Sequence, residues 1–93
     1  MSRSALSLPK GWFVYILLCA DDSFYTGFSD NPNSRFNDHK TGKGGRYTRS
    51  HKPIKLIYSE KLESRSDALK REAQIKGWSR DKKIKVLKLN LVK

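Results

Sequence analysis

The sequence predicts an α+β domain in which a small three-stranded antiparallel sheet is flanked by helices, in the order β-β-α-loop-β-α-α. Three observations predict it. Short runs rich in β-branched and aromatic residues occur at 12–18, 24–28 and 54–60. Turn-forming residues at 20–23 separate the first two runs closely enough for a hairpin. Polar stretches with capping residues follow at 30–42, 64–78 and 79–89.

Residues 1–10 hold no sustained apolar run. They read as a loose arm ahead of a domain over 11–90, not as a signal peptide. The first strand has two apolar faces, Trp12/Val14/Ile16/Leu18 and Phe13/Tyr15/Leu17, as expected of a central strand covered on both sides. The run Phe24–Phe28 completes the hairpin, and the mid-strand Gly27 weakens it unless another group must approach closely. Asp30 is placed to cap the first helix, with Pro32 in its first turn. That helix runs to about Gly42 with Phe36 as its only large apolar anchor. Residues 42–53 read as a glycine-rich basic loop closed by Pro53. Ser64 caps the next helix, with Asp67 at its third position, and Ser79 caps the last.

The 93-residue chain carries a net charge of +11. Residues 1–39 have a balance of −1 and residues 40–93 one of +12. Such a potential attracts polyphosphates and makes nucleic acid the expected partner. The lone Cys19 excludes an internal disulfide and any multi-thiolate metal cluster, which fits a reducing cytoplasm. No apolar run approaches the ~20 residues of a membrane span. A monomer is the default expectation.

Several residues stand out as candidates for chemistry. At about 100° per residue, Glu72 falls on one helical arc with Ile75, Ala68, Leu69 and Ala73. A carboxylate facing a core needs a cation, either a metal or a salt-bridge partner such as Lys76 one turn on. Arg35 and His39 share a helix face. Taken singly, an arginine in so basic a chain is more often a solvated charge, and His39 also reads as a C-terminal dipole partner. Tyr15 and Tyr25 are equally readable as core residues with their hydroxyls at the rim.

Their order is more specific than any one of them. Val14-Tyr15 is followed by Tyr25-Thr26-Gly27, then Arg35 and His39 on a helix, then the loop Gly42-Lys-Gly-Gly-Arg-Tyr47-Thr-Arg49, then Glu72 on a later helix. This resembles the GIY-YIG nuclease superfamily, in particular its small stand-alone bacterial branch, over about residues 12–83. The resemblance implies a three-stranded antiparallel sheet and a metal-dependent nuclease acting on nucleic acid, DNA ahead of RNA. It implies motif tyrosines at Tyr15 and Tyr25, a motif glycine at Gly27, a catalytic arginine at Arg35 and a histidine at His39. It further implies that Glu72 binds one Mg²⁺ or Mn²⁺, with Tyr47 as a loop tyrosine of this branch. In a one-metal scheme Tyr15 accepts the proton of the attacking water, its pKa lowered by nearby positive charge, or His39 relays that proton. Lys43, Arg46, Arg49 and Lys52 would track the phosphate backbone. The first motif reads Phe-Val-Tyr and the second Tyr-Thr-Gly, both sparing the tyrosines. Asn90 is the only candidate for the asparagine that larger members carry, and that role is not transferred. The competing expectation is a non-catalytic nucleic-acid binding module on the same scaffold.

Overall fold

The computed structural model describes residues 11–91; the arm expected over residues 1–10 lies outside the described residues. The elements are β1 (Trp12–Cys19), β2 (Phe24–Ser29), α1 (Pro32–Lys40), α2 (Arg46–Ser50), β3 (Pro53–Leu62), α3 (Arg65–Lys76) and α4 (Arg80–Leu87). The sheet is antiparallel with strand order β2-β1-β3. β1 is the central strand because both its faces are apolar: every residue from Phe13 to Cys19 is buried.

The two faces of β1 serve different ends. Val14 and Ile16 join Ala68 and Ile75 of α3 and Leu89 in the hydrophobic core, ringed by Trp12, Phe28, Trp78, Ile84 and Leu87. The opposite face carries Tyr15, which meets α1. Part of the positive charge in the second half covers this core rather than facing outward. Arg65 lies over Trp12 and Phe28, Arg71 and Lys82 over Trp78, and Arg80 over Phe24 at 4.1 Å.

Three local expectations are corrected. Asn31, not Asp30, caps α1, its side chain accepting from the Ser34 N–H. With Pro32 already in the first turn, the capping position is the residue just before it. The basic stretch 42–53 is not all loop. Glycines free the backbone only as far as Gly45, and the breaker-free Arg46–Ser50 closes into the short helix α2. Phe36 is not the main anchor of α1, whose buried residues are Pro32 and His39. The helix is therefore held by a polar side chain. At α3 the Ser64 cap accepts from the Asp67 N–H as expected, and Ser79 likewise caps α4.

Candidate active site on one face of the sheet

Tyr15 projects from mid-β1, paired with Gly27 of β2. Its ring lies across that glycine: a Cβ at position 27 would sit 2.7 Å from the Tyr15 hydroxyl. The oddity of a mid-strand glycine is thus explained by close approach, not by flexibility. The Tyr15 hydroxyl meets His39 Nε2 at 3.0 Å, and His39 Nδ1 meets Thr48 Oγ1 at 2.7 Å. Thr48 Oγ1 also donates to the Gly45 carbonyl at 3.5 Å. One proton arrangement satisfies all three groups: Tyr15 O–H donates to Nε2, Nδ1–H donates to Thr48, and Thr48 donates to Gly45. Tyr15 and His39 are each 1% exposed.

His39 is therefore no surface partner of a helix dipole. It is wedged between the sheet and α2, and Gly44 makes that possible. A Cβ at position 44 would fall 1.9 Å from His39 Nδ1. The aromatic rings continue outward, with Tyr25 at 4.7 Å from the His39 ring, Tyr47 at 5.8 Å from Tyr25, and His51 stacked on Tyr47 at 4.1 Å.

Burial pushes the Tyr15 phenol up to about 12, reinforced by Tyr25 and Glu72 and opposed by Arg35. Among the groups present, removal from water outweighs the guanidinium. Burial also lowers the His39 pKa, helped by Arg35 and opposed by Asp38. The resting pair is a neutral phenol on a neutral imidazole. Arg35, one turn before His39, is half-exposed; it pairs with Asp38 at 3.2 Å and donates to the Gly44 carbonyl at 3.5 Å.

Glu72 lies on α3, which packs against both β1 and β2, and its charge is felt at Tyr15. The buried face of that helix is centred on Ala68 and Ile75, while Leu69 (37% exposed) and Ala73 face solvent. The arc drawn through Leu69 and Ala73 is thus corrected, and Glu72 sits at the edge of the buried face. Its side chain is 15% exposed, and Lys76, one turn on, is its partner at 3.4 Å. Among the described residues no three or more His, Cys, Asp or Glu gather as a metal cluster. The donor set still fits Mg²⁺ or Mn²⁺, since an ion that keeps most of its water needs only one or two carboxylates.

Of the four basic residues expected on the nucleic acid, Arg49 and Lys52 line an open cleft of about 410 Å³ together with His39, Lys40 and Thr48. Lys43 and Arg46 are exposed outside that lining.

The GIY-YIG catalytic domain matches residues 11–85. The chain belongs to the GIY-YIG family. Relatives share its size as well as its sequence. A UPF0213 protein of Staphylococcus aureus is 45% identical over 76 residues, covering 82% of this chain and 93% of that protein. The solution NMR structure of a protein from E. faecalis matches with a TM-score of 0.61 and 39% identity, covering 89% of this chain and 88% of that one. That of a UPF0213 protein from Bacillus halodurans matches with a TM-score of 0.54 and 36% identity, covering 83% and 82%.

In this GIY-YIG domain the fold gathers Tyr15, Tyr25, Gly27, Arg35, His39 and Tyr47 around one face of the sheet, with the charge of Glu72 felt at Tyr15. Thr48 and Gly44 were not anticipated. Both lie in a stretch whose composition reads simply as polar and flexible, and only the buried imidazole gives them a task.

Proposed function

We propose that the protein is a metal-dependent nuclease that hydrolyses phosphodiester bonds, with DNA as the first substrate to test and the cytoplasm as its compartment. The observation that carries the proposal is the buried Tyr15–His39 pair at 3.0 Å, with Arg35 beside it and the charge of Glu72 felt at Tyr15.

A phenol held up at about 12 is a poor base by itself. A neutral imidazole against its hydroxyl supplies what it lacks. As an attacking water gives a proton to the Tyr15 oxygen, Tyr15 passes its own proton to His39 Nε2. The lowered His39 pKa keeps that nitrogen free to receive it at neutral pH. The Nδ1–H stays on Thr48 and holds the ring in place. The proton then leaves toward the departing oxygen or solvent. The Arg35 guanidinium, half-exposed on the same face, neutralises charge growing on the scissile phosphate. Glu72 would hold a Mg²⁺ or Mn²⁺, which when bound supplies Lewis-acid stabilisation of negative charge on the substrate. Tyr25 and Gly27 shape the pocket in which Tyr15 lies, and Lys43, Arg46, Arg49 and Lys52 steer the phosphate backbone without reading bases.

The test is incubation of purified protein with labelled single-stranded, duplex and branched DNA and RNA, with Mn²⁺ or with chelator. Metal-dependent cleavage of at least one substrate supports the proposal. Salt-sensitive binding with no cleavage of any of them would make the chain a binding module.

A further inference from the structure

A second cleft, of about 320 Å³, opens beside the edge strand β2; it shares Tyr25 with the site above, and the hydrolysis outlined there gives the rest of its lining no task. Phe24, Tyr25, Thr26 and Tyr47 line it from β2 and α2, and Lys76 and Lys83 from α3 and α4. Its size lies within the usual range of ~300–1,000 Å³ for small-ligand sites.

The lining is unusual in four respects. Two cations share it, Lys76 paired with Glu72 at 3.4 Å and Lys83 close enough to feel the charge of Lys76. Lys83 is half-buried, and burial together with Lys76 lowers its pKa. An anion in the cleft would relieve both effects. Thr26 Oγ1 is buried with no hydrogen-bond partner among the described residues. Tyr47 stays 38% exposed despite its contacts with Tyr25 and His51, which leaves a flat aromatic surface next to the two ammonium groups.

We propose that this cleft takes one unpaired nucleotide of the bound strand, its phosphate on Lys76 and Lys83 and its base against Tyr47 and Tyr25. The inference rests on the nuclease reading and narrows its substrate class. A base inside a duplex is covered by its neighbours, so only an unpaired one can lie on a tyrosine ring. Strands with a single-stranded segment beside the cleavage point therefore bind better than blunt duplexes.

The test is fluorescence anisotropy in chelator, with a short single-stranded DNA and a blunt duplex of the same length. The proteins are wild type, Lys83→Gln, Lys83→Arg and the exposed control Lys88→Gln, each checked for folding by thermal melting. Loss of the Lys83 charge should weaken the single strand about tenfold. Duplex affinity should fall no further than with Lys88→Gln, and Lys83→Arg should restore single-strand binding. Equal losses on both ligands, or a single-strand loss no larger than that of Lys88→Gln, would overturn the inference. If the wild type binds the duplex as well as the single strand in chelator, and cleaves both alike once Mn²⁺ replaces the chelator, the inference fails while the nuclease reading stands. If the wild type binds neither, both fall.

Discussion

The Tyr15 hydroxyl lies 3.0 Å from His39 Nε2, in a site where each residue is only 1% exposed. A structural tyrosine and a proton-relaying one differ in what removal of that hydroxyl does. Tyr15→Phe leaves the ring packed over Gly27 but orphans a buried imidazole nitrogen. That should cost about 1–3 kcal/mol of stability. Under single-turnover conditions the cleavage rate should fall on the order of 10²–10⁴ fold. A stability loss with an unchanged rate would leave Tyr15 purely structural.

The same pair sets the pH dependence. The His39 pKa is lowered from 6.5 by burial, so the unfolded chain takes up its proton near 6.5 while the folded chain resists until lower pH. Between those two values the unfolded state binds more protons, so stability declines as pH falls through that window and levels off below it. Cleavage needs the neutral imidazole, so its acid limb should have a midpoint below 6.5. A midpoint above 6.5 in the wild type would contradict the relay.

Much of this arrangement is legible in the sequence. Two apolar faces over Trp12–Leu18 mark β1 as central, and the mid-strand Gly27 marks a place where another group comes close. The caps at Ser64 and Ser79 are local chemistry and need no tertiary information. What escapes is decided by packing at a distance. Leu69 pulls the apparent apolar arc of α3 toward solvent, because a wheel weighs side-chain type and not what lies opposite. The burial of His39 depends on α2 closing over it, and nothing in Gly44-Gly-Arg-Tyr-Thr48 announces that contact. The direction of the Tyr15 shift is likewise a contest between burial and Arg35, which only the folded geometry decides.

Gly44 gives a prediction specific to this packing. A methyl group there would lie 1.9 Å from His39 Nδ1, so Gly44→Ala must displace the ring or the loop. The melting temperature should drop, with a cost of about 1–3 kcal/mol. The His39 ring signals in an NMR spectrum should shift as the bond to Thr48 breaks. Unshifted signals and an unchanged melting temperature would mean that Gly44 does not pack on His39 in solution.

Glu72→Gln separates a metal ligand from a structural anion. The Glu72–Lys76 pair has a half-exposed lysine and is worth only ~0–1 kcal/mol. In chelator the variant should therefore melt within a few degrees of wild type. Calorimetric titration with Mn²⁺ should show binding to wild type and none to the variant. An unfolded Glu72→Gln protein would instead make the carboxylate a structural member of the core edge.

The most direct test of phosphodiester hydrolysis at this site is the single-turnover rate of Arg35→Ala. Arg35 is half-exposed and its ion pair with Asp38 is a surface one, so folding should change by only about 0.5 kcal/mol. As one positive charge among many, it should scarcely alter affinity. In its proposed place facing the scissile phosphate it should govern rate, and its removal should slow cleavage on the order of 10²–10³ fold. An Arg35→Ala protein that folds, binds and cleaves like wild type would contradict the account.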